Sequence, residues 1–560
     1  MYANSKGVKY LHGVEIYLTS TLNEKIRDNY HTILIAKNKD GIKELNTLVD
    51  LSTREDHVYY KPRISFDEFL NISDNVIKIS ACLASPLNKY PSSVNAIYEK
   101  IKKLEDERDY EISLLTDNKY NEFFEAEKKR YEKMLAGGSS GFGGYIEPPI
   151  EKDEWFRIQK TAITNNYKKQ IEDLKREIDR AKDNYEKLLQ KYDYYEIQPH
   201  IKSIEQIKYN KFLYEASKKY NKPLIAGTDT HSINQYKAEC RSILQKAKHI
   251  EFSNEDEFDL TYKSYDELVE MFRQQNSLPM SAILEAIENT NRMADSVEDY
   301  ELDTSFKYPV LYDDEDKVFV ERIRRMYNEK IEKGIIKPDP RYEENIKEEL
   351  RVFRKIGMVG FMLFMSELVC WCWDNNIPIG YCRGSVGGST IAYILDIIDV
   401  NPIVWNTVFS RFANEDRKEI GDIDLDISPT QRHLVYKHII EKFGVDKTAY
   451  VLAIGTISDK GTIDEIGRAL NIPLSEVKEI KSLYSFYIET IKEYSDKIDK
   501  IESNEEYKKD NKLIKERDEL VEKLDKSKNG LKDLKENRYK ELFYYFDGLV
   551  GTAISQSMHP

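Results

Sequence analysis

Two periods alternate along this chain of 560 residues. Short β-branched runs, GVEIYLT (13–19), HTILIAK (31–37) and NVIKIS (75–80), flank DGIKELNTLVDLS (40–52), whose apolar positions recur at helical spacing. Side chains alternate across a strand and return every three or four residues on a helix, so the opening reads as α/β. The pattern resumes at YYEIQPH (194–200), a helical EQIKYNKFLYEASKKY (205–220) and strand-like KPLIAGTD (222–229). Between the two, Ile163, Tyr167, Ile171, Leu174, Ile178, Ala181, Tyr185 and Leu188 form a heptad-like stripe in a charged background. With the charged stretch 116–135 and the Gly-rich AGGSSGFGG (136–144), this predicts an inserted helical hairpin over 98–192 joined by a flexible loop. The Gly run lacks the Gly-Lys-Ser/Thr that would complete a phosphate-cradling P-loop.

Residues 310–378 read as helical, and 379–470 mix strands (IPIGYC, DIDLDIS, AYVLAIG) with helices. A second charged helical region fills 480–540, where Ile491, Tyr494, Ile498 and Ile501 continue into Leu513, Leu520, Leu524, Leu531 and Leu534, as in solvated antiparallel helices. The most apolar stretch, 358–373, is shorter than about 20 residues and carries Glu367, which predicts a buried helix and no membrane span.

Composition narrows the function classes. At roughly 100 to 200 residues per domain the length suggests three or four domains, and 40% hydrophobic with 11% aromatic residues excludes wholesale disorder. Lys+Arg 85 against Asp+Glu 99 gives a net charge of −14, which carries no global signature of a nucleic-acid binder, although basic residues kept to one face escape such a sum. Five cysteines at 82, 240, 370, 372 and 382 match neither a disulfide framework nor a paired CxxC zinc pattern, and the N-terminus has no signal-peptide run, so a reducing cytoplasm is expected.

The chemistry concentrates in Asp422-Ile423-Asp424-Leu425-Asp426-Ile427. In a strand the three carboxylates share one face and the aliphatic residues the other. Like charges so close are best tolerated with hard cations among their oxygens, and Mg²⁺ held by a few carboxylates plus substrate phosphates is the usual solution. An EF-hand loop would need Gly and Glu where Ile427 and His433 stand; a solvated edge strand is the other alternative. About forty residues upstream, Gly380-Tyr381-Cys382-Arg383-Gly384-Ser385-Val386-Gly387-Gly388-Ser389 opens the apolar TIAYILDII. Such a loop presents backbone N–H groups and hydroxyls to an anion, and Arg383 adds positive charge. A triphosphate holder beside a metal holder is the equipment of phosphoryl or nucleotidyl transfer.

These residues carry a resemblance. GYCRGSVGGSTIAYILDIIDVNP, FSRFANEDRKEIGDIDLDIS and VLAIGTISDKGTIDEIGRAL, in that order, resemble the palm of the C-family replicative polymerases, the bacterial DNA polymerase III alpha subunits. The resemblance implies a polymerase-β-like nucleotidyltransferase palm with two Mg²⁺ ions. Asp424 and Asp426 match the catalytic carboxylates and Asp422 the flanking aspartate, while Arg383, Gly384, Ser385, Gly387, Gly388 and Ser389 match the nucleotide-binding loop. Arg411, Arg417, Arg432, Lys460 and Arg468 fall at basic positions suited to triphosphate or DNA backbone. Cys382, Gly421 and Asp464 depart from the family pattern.

Upstream, GVKYLHGVEIYLT, KISACLAS, YYEIQPH and PLIAGTDTHSIN resemble the PHP (polymerase and histidinol phosphatase) domain that opens these polymerases, which implies a (β/α) barrel remnant. Glu15, His31, Cys82, His200, Asp229 and His231 are residue types that ligate Zn²⁺ or Mn²⁺. The family's N-terminal His-x-His is absent, so a vestigial site in an N-terminally truncated domain is expected. The expected map is a PHP-like domain over 1–285, a palm with connecting helices over 286–455, a thumb with a charged insertion over 456–545, and the start of a second palm segment over 546–560. The third catalytic aspartate, fingers and clamp-binding region would follow, as in a split or phage-encoded gene acting in the host cytoplasm. The implied partners are primer-template DNA, dNTPs, a C-terminal polymerase fragment and, through it, the sliding clamp. A PHP-type metal-dependent phosphoesterase and a non-catalytic replisome assembly subunit are the alternatives.

Overall fold

The computed structural model describes residues 2–136, 150–250, 258–302, 310–415, 422–449, 453–504 and 507–557. The Gly-rich residues 137–144, Arg417 and the last three residues fall outside them. The chain divides into two compact units, one of residues 1–301 with 451–560 and one of residues 302–450. Both are mostly helical.

In the first unit a short α1 (Tyr2–Ser5) leads into β1 (Gly13–Thr19), β2 (Tyr30–Ala36), α2 (Lys39–Ser52), β3 (Arg63–Ser65), α3 (Phe66–Leu70) and β4 (Val76–Ile79). The β-branched runs of the opening are these strands. The sheet order is β3-β1-β2-β4, with β1 antiparallel to β2 and parallel to β3, and β2 antiparallel to β4. After α4 (Pro86–Ser113), α5 (Asp117–Ala136) and α6 (Lys152–Lys191), the α/β pattern returns as β5 (Tyr195–Ile197), α7 (Ile204–Tyr220) and β6 (Leu224–Ala226). β5 pairs parallel with β6, and a single parallel bridge from Ile79 to Tyr194 joins β5 to β4. The strands form no closed barrel among the described residues. Where a (β/α) barrel remnant was expected there is an open mixed sheet with an appended parallel pair, backbone pairing stopping at β3 on one side and β6 on the other.

The heptad-like stripe is the buried face of α6. Tyr167, Ile171, Ile178, Ala181 and Leu188 pack with Leu87, Tyr90, Val94, Ile97 and Ile101 of α4 in one core continuous with Leu18, Leu34 and Phe66 of the sheet region. The long helices therefore rest on the same apolar core that holds the sheet. α8 (Gln235–Ala247), α9 (Tyr265–Gln275) and α10 (Met280–Asp295) complete this stretch.

The second unit contains α11 (Glu315–Glu332), α12 (Pro340–Ile356), α13 (Val359–Asp374), α14 (Thr390–Ile394), α15 (Pro402–Trp405) and α16 (Arg432–Phe443). Its core is Phe319, Ile323, Val352, Phe353, Met362, Leu363, Ile391 and Ile394. The apolar stretch around 358–373 is α13, buried as its pattern predicted, and no single described helix is long and apolar enough to cross a membrane. The predicted strands IPIGYC and DIDLDIS meet in one antiparallel bridge, Ile379 to Ile427, without forming a ladder. The expected palm sheet is to that extent corrected: Pro378 has no N–H to donate, and beyond the Gly380 N–H to Asp426 O bond (2.9 Å) the chain turns away into the glycine loop.

The chain then returns to the first unit as β7 (Ala453–Thr456), α17 (Asp459–Ala469), α18 (Leu474–Glu502), α19 (Asn511–Asp533), α20 (Lys540–Leu549) and β8 (Ala553–Ser557). β7 and β8 pair antiparallel. Ile463, Ile466, Leu542 and Phe546 pack around Cys240 of α8. The charged region is the antiparallel pair α18–α19, closed at its far end by Ile498, Leu520 and Leu524.

Candidate nucleotide and metal site

Asp422, Asp424 and Asp426 are exposed while Ile423, Leu425 and Ile427 are half-buried, so the segment keeps the two-residue alternation of an extended chain although only one bridge holds it. Leu425 and Ile427 pack on Leu368, Val369 and Ile379, which fixes the direction of the two neighbouring carboxylates. The loop comes close to them. A β-carbon at Gly380 would lie 2.9 Å from Cβ of Asp426, and one at Gly384 would lie 3.2 Å from Oδ2 of Asp424. Gly384 has φ +76°, the left-handed region that glycine enters without strain. The Arg383 guanidinium donates to Asp426 Oδ1 at 2.8 Å, with its Nε 3.8 Å from Asp424 Oδ2. Loop and aspartates are one cluster.

Downstream, Ser385–Gly388 make one tight turn. Thr407 Oγ1 donates to the Gly387 carbonyl (2.9 Å), and a β-carbon at Gly388 would stand 2.4 Å from the Val408 carbonyl oxygen. Ser389 and Gly388 are buried. The Ser389 hydroxyl caps α14 by accepting from Ala392 N (3.0 Å) and donates to Oε2 of Glu349 (2.7 Å). Thr390 N and Ile391 N also donate to Glu349, at 2.7 and 2.9 Å. Ser389 is therefore turned inward, and the helix amides expected to meet a phosphate meet a carboxylate; the open part of the loop is Arg383, Gly384 and Ser385. Burial pushes Glu349 up to about 7 against the pull of these hydrogen bonds. Sequence reasoning missed this residue, although it interrupts an otherwise apolar buried stripe of Tyr342, Val352 and Phe353 on α12.

The basic positions separate. Arg411 ends the turn Phe409–Arg411, next to the Val408 carbonyl that abuts Gly388. Arg432 begins α16, its guanidinium 5.8 Å from the Tyr436 ring centre. Lys460 and Arg468 lie on α17 in the other unit, where Lys460 is exposed and Arg468 donates to Glu465 at 2.8 Å.

In the first unit, Glu15 on β1 and His31 on β2 meet at 3.1 Å, and the Cys82 sulfur lies 3.8 Å from the same imidazole nitrogen. Burial pulls the His31 imidazole down, but the Cys82 and Glu15 contacts outweigh it and raise it to about 10. Asp229, at φ 48°, is raised by burial, and His231 Nδ1 approaches its carboxylate at 3.8 Å. His200 is only 1% exposed, packs edge-on against Phe258, and is lowered to about 4 by burial. A buried acid that the sequence reading passed over, Glu196 on β5, is pushed up to about 7 by burial and by the charges of Asp229 and Glu15, while Gln198 Nε2 donates to it at 2.7 Å. An acid inside a three-residue buried parallel strand was the available signal. Among the described residues no three or more His, Cys, Asp or Glu side chains converge into a metal-sized cage. The exposed aspartate pair suits a hard cation that completes its shell with water and phosphate.

Residues 317–560 match the bacterial DNA polymerase III alpha NTPase domain and residues 1–123 match the PHP domain. The chain is 27% identical over 496 residues to DNA polymerase III subunit alpha of Aquifex aeolicus, covering 84% of this chain and 36% of that protein. The same subunit of Borreliella burgdorferi is 28% identical over 493 residues, 85% of this chain and 35% of the relative. That of Escherichia coli K12 is 35% identical over 138 residues, 25% of this chain and 12% of the relative. The chain thus spans about a third of the length of the first two relatives. With both domains matched in order and similarity over 84 to 85% of its length, the chain is homologous to the N-terminal part of the bacterial DNA polymerase III alpha subunits.

Proposed function

We propose that this chain is the N-terminal portion of a replicative DNA-directed DNA polymerase, transferring a nucleotidyl group from a dNTP to a primer 3′-OH. The observation that carries this is the single cluster of Asp424, Asp426, Gly384 and Arg383, inside the region that matches the family's NTPase domain. Asp424 and Asp426 would hold Mg²⁺, with Asp422 flanking. When bound, the metal ions neutralise the triphosphate and lower the pKa of the attacking hydroxyl. The chain's own residues position: Gly384 leaves room for phosphate oxygens beside Asp424, and Arg383 exchanges its carboxylate partners for phosphate, which it can hold bidentately. Gly387 and Gly388 shape the turn behind, Arg411, Arg417 and Arg432 would serve triphosphate or DNA-backbone contact, and Lys460 and Arg468 on the other unit would serve DNA-backbone contact. The remaining polymerase segments, the fingers and the clamp-binding region, act with this portion in the cytoplasm.

Primer extension by the chain, alone and with a polypeptide covering the remaining length of a relative, tests the proposal. Loss of a metal ligand removes several kcal/mol of charge stabilisation, so Asp424→Asn should slow the reconstituted reaction by at least about 100-fold. An Asp424→Asn enzyme extending primers at the normal rate would overturn the site.

A further inference from the structure

We infer that Glu349 is a positioning residue for triphosphate binding: through Ser389, Thr390 and Ile391 it fixes the far end of the glycine loop, and so sets where Arg383 and Gly384 stand against Asp424 and Asp426. The inference rests on the nucleotide site proposed above. Glu349 is 1% exposed on α12, and it accepts hydrogen bonds from three successive residues at 2.7, 2.7 and 2.9 Å. One turn earlier, Asn345 Nδ2 donates to Thr390 Oγ1 at 2.9 Å, so the same helix face grips the same point twice.

α14 does not need Glu349 in order to be capped, since Ser389 already accepts from Ala392 N. What Glu349 adds is a tie between two elements. Between that tie and Gly384 lies one turn with little slack, because Val386 is fully buried and Gly388 is pressed on the Val408 carbonyl. A shift at Ser389 is therefore passed on to Arg383 and Gly384. The tie also has an electrostatic consequence. The first amides of α14 face a carboxylate, so anion attraction falls to Arg383 and to the open backbone at 384–385, and affinity depends on where that arm is held.

The test is titration of the full chain with dATP in the presence of Mn²⁺, and with Mn²⁺ alone, for wild type, Glu349→Gln and Ser389→Ala. Gln keeps the shape but replaces one accepting oxygen by an NH₂ facing a donor. The expected result is dATP binding weakened about tenfold or more in Glu349→Gln, the scale of one charge-assisted hydrogen bond, and about threefold in Ser389→Ala, with Mn²⁺ affinity within about twofold of wild type. Either variant, folded by circular dichroism, binding dATP as tightly as wild type would overturn the inference while leaving the nucleotide site standing. Equal loss of dATP and Mn²⁺ affinity would overturn it too, as a general structural defect. If Glu349→Gln does not fold, Ser389→Ala decides. Wild type that binds Mn²⁺ but no dATP removes the nucleotide site itself, and the inference with it.

Discussion

Glu349 is a carboxylate kept in the interior of a helical unit, and that placement has a measurable signature. Its folded value of about 7 lies above the ordinary 4.5, so the folded state binds its proton more tightly than the unfolded state does. Stability from this group is therefore greatest below about pH 4.5, falls as pH rises to about 7, and is flat beyond, with a total of at most about 3 kcal/mol. Three of the four tryptophans, Trp371, Trp373 and Trp405, lie in residues 302–450, so denaturant unfolding followed by their fluorescence reports mainly on this unit. The wild-type midpoint should fall between pH 5 and 7 more steeply than that of Glu349→Gln; parallel pH profiles would contradict the assignment. At this scale the sequence showed the aspartates, Arg383 and the loop glycines, because their chemistry is unusual for their positions. It did not show Glu349, since PRYEENIKEELRVF carries four glutamates and nothing but register distinguishes the buried one. Nor did it show that Ser389 turns inward, which depends on a partner forty residues away.

At the scale of elements, helix periodicity carried furthest. The stripe from Ile163 to Leu188 became the packed face of α6, and Ile171 on it is 5% exposed within the main core. Ile171→Ala should cost about 2 to 5 kcal/mol, read as a shift in urea midpoint, whereas Lys168→Ala on the solvent face should change it by less than about 0.5 kcal/mol. Equal effects would mean that the stripe is not what holds the helix down. Strand patterns were legible where strands found partners, as in β1, β2 and β4. DIDLDIS has the alternation but only one bridge, because alternation states which face is buried and says nothing of whether a neighbouring backbone is free to pair. Closure of the PHP-like sheet was likewise not in the pattern, since closure depends on the neighbours available to the edge strands.

At the scale of the whole molecule, a net charge of −14 counted against a nucleic-acid partner, yet the family match spans both ends of the chain. The two facts agree once the charge is located. A site built to hold divalent cations must itself carry carboxylates, and the positive residues needed for phosphate are few and local, as Arg383 is. Two sets of ligand-type side chains compete for the role of metal centre: Asp424 and Asp426 with the glycine loop, and Glu15, His31, Cys82, Asp229 and His231 in the PHP-like region. The exposed aspartate pair is favoured because its carboxylates stand open beside a glycine loop that can bring a phosphate to complete a cation's shell, whereas the side chains of the second group do not converge into a cage among the described residues.

Iron-directed cleavage discriminates the two most directly. Fe²⁺ replaces Mg²⁺ among oxygen ligands, and with ascorbate and peroxide it cuts the backbone beside the bound ion. In the presence of dATP the chain should be cut near Gly384 and near Asp424, with both cuts suppressed by excess Mg²⁺ and lost in Asp424→Asn. Fragments ending near residues 15, 31, 82 and 229, with none near 384 or 424, would place the metal in the PHP-like domain and contradict the polymerase site proposed for this chain.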